Sequence, residues 1–186
     1  AGGTRSAQCT LILCEGDSAK AGIVSGLSKD DRNTHGVFPL KGKLLNTLEA
    51  PQHKINNNDE ITNIKKILGL TTGKTYTQEE AKKQLRYGKL LFMTDQDLDG
   101  SHIKGLCINM FHSQWHDLVT LKDFFGFMNT PILKATKGKS TKSFYTESAY
   151  LKWKESHNNG KGWKIKYYKG LGTSTAKEFK EYFAEK

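Results

Sequence analysis

Two short runs in the chain are almost continuously apolar: Cys9–Cys14 (CTLILC) and Lys89–Thr94 (KLLFMT). Neither alternates with a period of two, so each predicts a strand buried on both faces, as in a parallel sheet. Each run stops at an acidic turn, Glu15-Gly16-Asp17-Ser18 in the first case and DQDLDG at 95–100 in the second. Beyond the first turn Ala19, Ile23 and Leu27 recur every four residues, and beyond the second Ile103, Leu106, Cys107, Met110 and Phe111 follow the i, i+3, i+4, i+7, i+8 pattern of an amphipathic helix. A strand–acidic turn–helix unit therefore occurs twice. Two such units predict an α/β fold, a parallel sheet flanked by helices. Gly22 and Gly26 weaken the first helix unless something packs closely against it.

Between the units the pattern is less uniform. VFPLKGKLLN at 37–46 places Pro39 and Gly42 in an apolar context, beside Lys41 and Lys43. Residues 52–59 (QHKINNND) read as a polar loop. Ile61, Ile64, Ile67 and Leu68 predict a helix over 60–68, and 77–85 suits a second short helix. From about Ser113 the regularity fades: strands are expected near 144–145 and 163–168, with exposed loops at 137–142 and 155–162. KGLGTSTAKE then reads as a glycine-containing turn before a helix, with Thr175 and Glu178 at capping-box spacing.

The composition fits a folded chain with a nucleic-acid partner. Of 186 residues 36% are hydrophobic, enough for a core, and the net charge of 29 − 19 = +10 points to a polyanion. A merely soluble lysine-rich surface is the alternative; only Arg5, Arg32 and Arg86 are arginines. Cys9, Cys14 and Cys107 form no CxxC pair and read as reduced, buried thiols of the cytosol or nucleus. No apolar run is long enough to cross a bilayer. The opening AGGTRS lacks an initiator Met, as expected of a fragment or a processed protein.

The acidic turns carry the chemistry. Ligands collect at the carboxyl ends of strands in open α/β sheets. If the two predicted strands are neighbours, Glu15 and Asp95, 80 residues apart, meet at one edge with Asp97 and Asp99 beside them. Hard oxygen ligands of this kind suit Mg²⁺, which would offset their mutual repulsion and let an acidic site approach a phosphodiester. Each piece by itself has a plainer reading: a single DxD is commonly a turn or cap, and Glu15 could be a helix N-terminal charge. A calcium loop is ruled out because Leu106 stands where its glutamate is required. The six histidines have no zinc spacing with the cysteines, and KGLGT matches no phosphate-loop pattern.

Four ordered motifs together are specific: EGDSAK (15–20), PLKGKLLN (39–46), TDQDLDGSHIKGL (94–106) and YYKGLGTSTAKE (167–178). In this order they resemble the TOPRIM domain of type IIA DNA topoisomerases, running into the start of the DNA-binding and cleavage core. Gln96 and SHIKGL resemble the eukaryotic ATP-dependent enzymes rather than bacterial gyrase. The resemblance implies that Glu15, Asp95 and Asp97 are Mg²⁺ ligands, that Asp99 is a weaker or outer one, and that Glu15 also serves as a general acid/base. It further implies that Gly16, Asp17 and Ser18 line the turn beside the cut DNA. Lys41, Lys43, Asn46, His102, Lys104 and Lys169 would face DNA, and Gly170–Thr173 would form the turn into the winged-helix region. Lys41 replaces the family's usual arginine and gives up its bidentate phosphate fork. The implied organisation is a TOPRIM domain over 1–125, an extension over 126–166, and the start of a winged-helix region over 167–186. The implied parent is a nuclear, homodimeric enzyme acting on double-stranded DNA, with ATP bound outside this chain and no membrane association. The family's nucleophilic tyrosine lies downstream of KGLGTS, and Tyr167, Tyr168 and Tyr182 do not match it, so the fragment is expected to be inactive by itself. A primase or nuclease sharing the same carboxylates, and a non-catalytic basic DNA-binding module, are the competing readings.

Overall fold

The computed structural model describes residues 1–184. In chain order the elements are β1 (Thr10–Glu15), α1 (Gly16–Gly26), α2 (Asp31–Thr34), β2 (His35–Leu40), α3 (Gln52–Asn56), α4 (Asp59–Leu68), α5 (Gln78–Gln84), β3 (Lys89–Met93), α6 (Leu98–Gln114), α7 (His116–Thr120), β4 (Phe125–Phe127), β5 (Leu133–Lys137), β6 (Ser140–Phe144), α8 (Glu147–Ser156), β7 (Lys164–Tyr167) and α9 (Ala176–Ala184).

The two apolar runs form the centre of a four-stranded parallel sheet ordered β2-β1-β3-β4, and β1 lies directly against β3 with Cys14 opposite Met93. Parallel neighbours need crossover connections, and helices supply them. Because both faces are covered, alternate residues of each strand enter different cores. Leu11, Leu13, Leu90 and Phe92 join α4, α5 and α6 through Ile64, Leu68, Ala81, Ile103, Cys107 and Phe111. Ile12, Cys14, Leu91 and Met93 join α1 and α9 through Ala19, Ile23, Phe179 and Tyr182. Each such fully buried large side chain contributes about 1.5–3 kcal/mol relative to exposure. The close partner that Gly22 and Gly26 call for is Phe179 of α9: a β-carbon at either glycine would overlap it.

A second sheet, antiparallel and ordered β6-β5-β7, carries its own small core of Leu133, Phe144, Tyr150 and Trp153 against α8. Here two expectations are corrected. Residues 137–142, expected as an exposed loop, are exposed but form the turn end of a hairpin in which Lys137 pairs with Ser140 across a two-residue turn at Gly138 and Lys139. The turn needs Gly138 at φ +59°, and both strands carry lysine, serine and threonine, which hides the strand period. Residues 52–59, also expected as a loop, contain α3, anchored by the single buried side chain Ile55. The 155–162 segment starts as the last turn of α8 and continues as a 3-10 turn at Asn158–Gly160. Cys9, Cys14 and Cys107 are free and buried. Among the described residues no helix is long and apolar enough to cross a membrane.

Candidate metal and nucleic-acid site

The parallel register brings the carboxyl ends of three strands to one edge. Glu15, the last residue of β1, lies opposite Leu40, the last residue of β2, and Met93 ends β3 two residues before Asp95. Lys41 after β2, Gly16 after β1 and Asp95 after β3 therefore leave the sheet in that order, with Glu15 on the central of the three strands. Glu15 occupies the N-cap position of α1 but makes no capping hydrogen bond. Its Oε2 is buried without a hydrogen-bond partner. Burial, followed by the nearby charges of Asp95, Asp97 and Asp99, pushes the Glu15 carboxyl above its usual range, and Lys43 acts in the opposite direction. An orphaned carboxylate oxygen facing like charges is what a bound cation would relieve.

The other three acids already have partners. Asp97 caps α6 by accepting the Gly100 N–H at 2.7 Å. Asp95 Oδ1 accepts the Leu171 N–H at 2.6 Å, a contact spanning 76 residues. Asp99 pairs with Lys43 at 2.8 Å, and the hydrogen bond and charge of that lysine hold its carboxyl below the usual range. Both groups of this pair are at least half exposed, so it adds little stability. Among the described residues no three acidic, histidine or cysteine side chains converge into a ready-made metal cage. Mg²⁺ does not require one, since it is commonly held by one or two carboxylates, waters and phosphate oxygens. The donor set of Glu15 Oε2 and neighbouring aspartate oxygens therefore fits a hard divalent cation.

The remaining residues singled out from sequence divide into two groups. Gly16 opens α1 at φ +79°, with Asp17 and Ser18 exposed in its first turn. Lys41, Lys43, His102 and Lys169 are exposed around the acidic edge or along the start of α6, with Lys104 half-buried there. Lys169 lines a cavity of about 250 Å³ together with Asp95, Gln96, Asp97, Thr130 and Gly170. Asn46 instead turns toward the protein, its Oδ1 accepting from Asn109 Nδ2 at 3.0 Å and from the Leu48 N–H at 3.3 Å.

Two contributors escaped the sequence reading. Glu60, in the first turn of α4, accepts the Lys41 N–H on Oε1 at 3.0 Å and so fixes the start of the two-lysine loop. Its helix is legible in the sequence, but nothing in the spacing says that it reaches back 19 residues. The second is the Leu171 N–H, a backbone group that carries no side-chain signal at all.

Comparison with known proteins fits this geometry. The family model described as Toprim domain matches residues 10–125, and the one described as C-terminal associated domain of TOPRIM matches residues 128–186. DNA topoisomerase 2-beta of Homo sapiens is 56% identical over 188 residues, covering 100% of this chain and 11% of that protein. DNA topoisomerase 2-alpha of Homo sapiens is 55% identical over 185 residues, covering 100% of this chain and 12% of that protein. The chain thus spans about a tenth of the length of these relatives. A crystal structure of the Plasmodium falciparum topoisomerase II DNA-binding, cleavage and re-ligation domain superposes with a TM-score of 0.92 at 53% identity, covering 100% of this chain and 25% of that one. The chain belongs to the Toprim family, with the TOPRIM-associated C-terminal domain joined to it.

Proposed function

We propose that this chain is the metal-binding segment of a eukaryotic type II DNA topoisomerase, an ATP-dependent enzyme that changes DNA topology by transient double-strand cleavage, strand passage and religation. The observation that carries the reading is the unpartnered Glu15 Oε2, buried at the same sheet edge as Asp95, Asp97 and Asp99 and flanked by Lys41 and Lys43. Glu15, Asp95 and Asp97 would hold Mg²⁺, with Asp99 in an outer position. The ion when bound would supply charge stabilisation for the oxygens of a phosphodiester under in-line displacement. The chain's own residues do the rest. Lys41, Lys43 and Lys169 offer cations to the DNA backbone, His102 and Lys104 extend that surface along α6, and Gly16–Ser18 form the turn beside the cut strand. Asn46 supports the lysine loop through Asn109. Glu15, whose carboxyl burial and the neighbouring aspartates raise above its usual range, is the proposed general acid/base.

The nucleophile is a tyrosine outside this chain. Two of the tyrosines around the KGLG turn are poor candidates: the Tyr168 hydroxyl donates to Glu178, and burial pushes the Tyr182 hydroxyl up to about 12. The proposed organisation remains a TOPRIM domain over 1–125, an extension over 126–166 and the approach to a winged-helix region over 167–186. The parent is proposed to be a nuclear homodimer that binds double-stranded DNA, with ATP held elsewhere. A primase or nuclease is disfavoured by the similarity to topoisomerases along the whole chain, and a non-catalytic module leaves the orphaned glutamate unexplained.

Two measurements test this. Mn²⁺ titration followed by electron paramagnetic resonance is expected to show weak binding that falls at least tenfold in Glu15→Gln and Asp97→Asn; second-sphere losses alone reach about 10–100-fold. Unchanged binding in both variants removes the metal reading. Incubation of the purified chain with supercoiled plasmid and Mg²⁺ is expected to leave the plasmid supercoiled, and relaxation would place the nucleophile inside this chain.

A further inference from the structure

We infer that Gly170 and the Leu171 N–H are a positioning device for Asp95, so that the acidic edge of the Toprim sheet is completed by the C-terminal associated segment. The inference rests on the metal-binding reading for its purpose but not for its geometry. Asp95 lies in the turn after β3, and Leu171 lies 76 residues later, after β7, yet the Leu171 N–H donates to Asp95 Oδ1 at 2.6 Å. A backbone donor on a carboxylate is a charge-assisted hydrogen bond, short and directional.

The approach is so close that any side chain before Leu171 would displace the Asp95 carboxylate. A β-carbon on Gly170 would come closer than 3 Å to Cγ and both oxygens of Asp95. Gly170 also adopts φ +118°, ψ 179°, a conformation that side-chain-bearing residues rarely take. Two independent constraints thus select glycine at one position, and both serve the same contact. The turn is itself held from behind. Leu171 is buried among Ile12, Cys14, Met93 and Phe179, which fixes the N–H that follows Gly170. The other flank of Asp95 is Gln96, whose Nε2 donates to Asn129 Oδ1 at 3.3 Å.

The consequence is orientation. With Oδ1 committed to Leu171, Asp95 has one rotamer instead of several, and the carboxylate is aimed before any ion arrives. Outer contacts that orient a ligand in this way are commonly worth tenfold or more in metal affinity. The same contact explains why Lys169 stands in the cavity shared with Asp95 and Asp97: the turn that grips Asp95 carries the lysine with it.

Nuclear magnetic resonance of the metal-free chain reads the contact directly. The Leu171 amide proton is expected far downfield, and to move upfield by a large margin in Asp95→Ala and in Gly170→Ala. An amide that ignores Asp95→Ala overturns the inference, and this variant decides the matter even if Gly170→Ala fails to fold. Mn²⁺ titration then reads the purpose. Gly170→Ala, with its melting transition intact, is expected to bind about tenfold more weakly, and the double variant with Asp95→Ala no more weakly than Asp95→Ala alone. A merely structural role would lower affinity in the double variant further, and wild-type affinity in Gly170→Ala would also overturn the inference. If Glu15→Gln and Asp95→Ala both bind Mn²⁺ like the wild type, it is the metal reading that fails, while the amide shift still decides the contact.

Discussion

Gly26 of α1 faces the β-carbon and backbone of Phe179, while Gly22 faces only the rim of its ring. The two glycines therefore differ in what an added methyl group meets. In Gly22→Ala the ring can tilt away, and the gain in helix propensity, about 1 kcal/mol, recovers part of the cost. In Gly26→Ala the obstacle is main chain, so overpacking of about 1–3 kcal/mol dominates. Urea denaturation is expected to rank the wild type first, Gly22→Ala second and Gly26→Ala last; equal stability would mean that α9 is not seated as described. Phe179→Ala removes the shared partner and is expected to cost about 3–5 kcal/mol. The sequence exposes the demand side of this contact, two glycines in a helix, but not its supplier, because nothing local links Gly26 to a residue 153 positions later. The site divides in the same way. Glu15 and Asp95 are legible because strand ends are legible, whereas the Glu60 carboxylate acts on a backbone N–H 19 residues away and Leu171 acts through its own backbone N–H, neither of which local spacing reveals.

The element that joins the two sheets is α9, and its cap is the joint. Thr175 and Glu178 form the capping box expected from their spacing, with the Thr175 N–H on Glu178 Oε2 at 2.7 Å and the Glu178 N–H on Thr175 Oγ1 at 3.3 Å. Glu178 also accepts from Lys166 of β7 at 2.9 Å and from the Tyr168 hydroxyl. Burial by itself pushes its carboxyl up, but the hydrogen bonds from Thr175, Tyr168 and Lys166 outweigh it and hold the pKa at about 2, against an ordinary 4.5. The unfolded chain therefore takes up the proton first. The contribution of Glu178 is fully present above pH 4.5 and is lost as pH falls through about 2. The stability difference between the wild type and Glu178→Gln, measured by urea denaturation from pH 6 downward, is expected to shrink over that window and not above it. The box is legible as three-residue spacing. The hairpin of β5 and β6 is not, since one of its faces is Lys134, Thr136, Thr141 and Ser143, and strand periodicity needs apolar residues to show itself. In α8, Tyr150 and Trp153 at i, i+3 give a helix signal that the surrounding polar residues obscure.

At the scale of the molecule, charge and closure decide behaviour. A net charge of +10 predicts DNA binding that weakens steeply with salt. Removing one lysine that pairs with a phosphate should reduce the slope of log K against log salt by about 1. Lys41→Ala and Lys43→Ala are each expected to do so, tested by fluorescence anisotropy on duplex DNA across a salt series. An unchanged slope in both would move the DNA surface away from the acidic edge. Closure comes from α9: one face of the parallel sheet is sealed by α1 together with Phe179 and Tyr182. Deleting residues 168–186 is expected to leave that face open, detected as dye binding to apolar surface and loss of a cooperative melting transition.

That seal has a consequence in time. A ribosome makes the chain in order, and the strands that need Phe179 are finished long before it exists. Domains dominated by contacts between distant residues fold slowly, and unfinished ones expose sticky surface. Ile12, Leu91 and Met93 must wait, half covered, until α9 has been made and has left the exit tunnel. A nascent chain stalled just before KGLG is therefore expected to present that open face to chaperones.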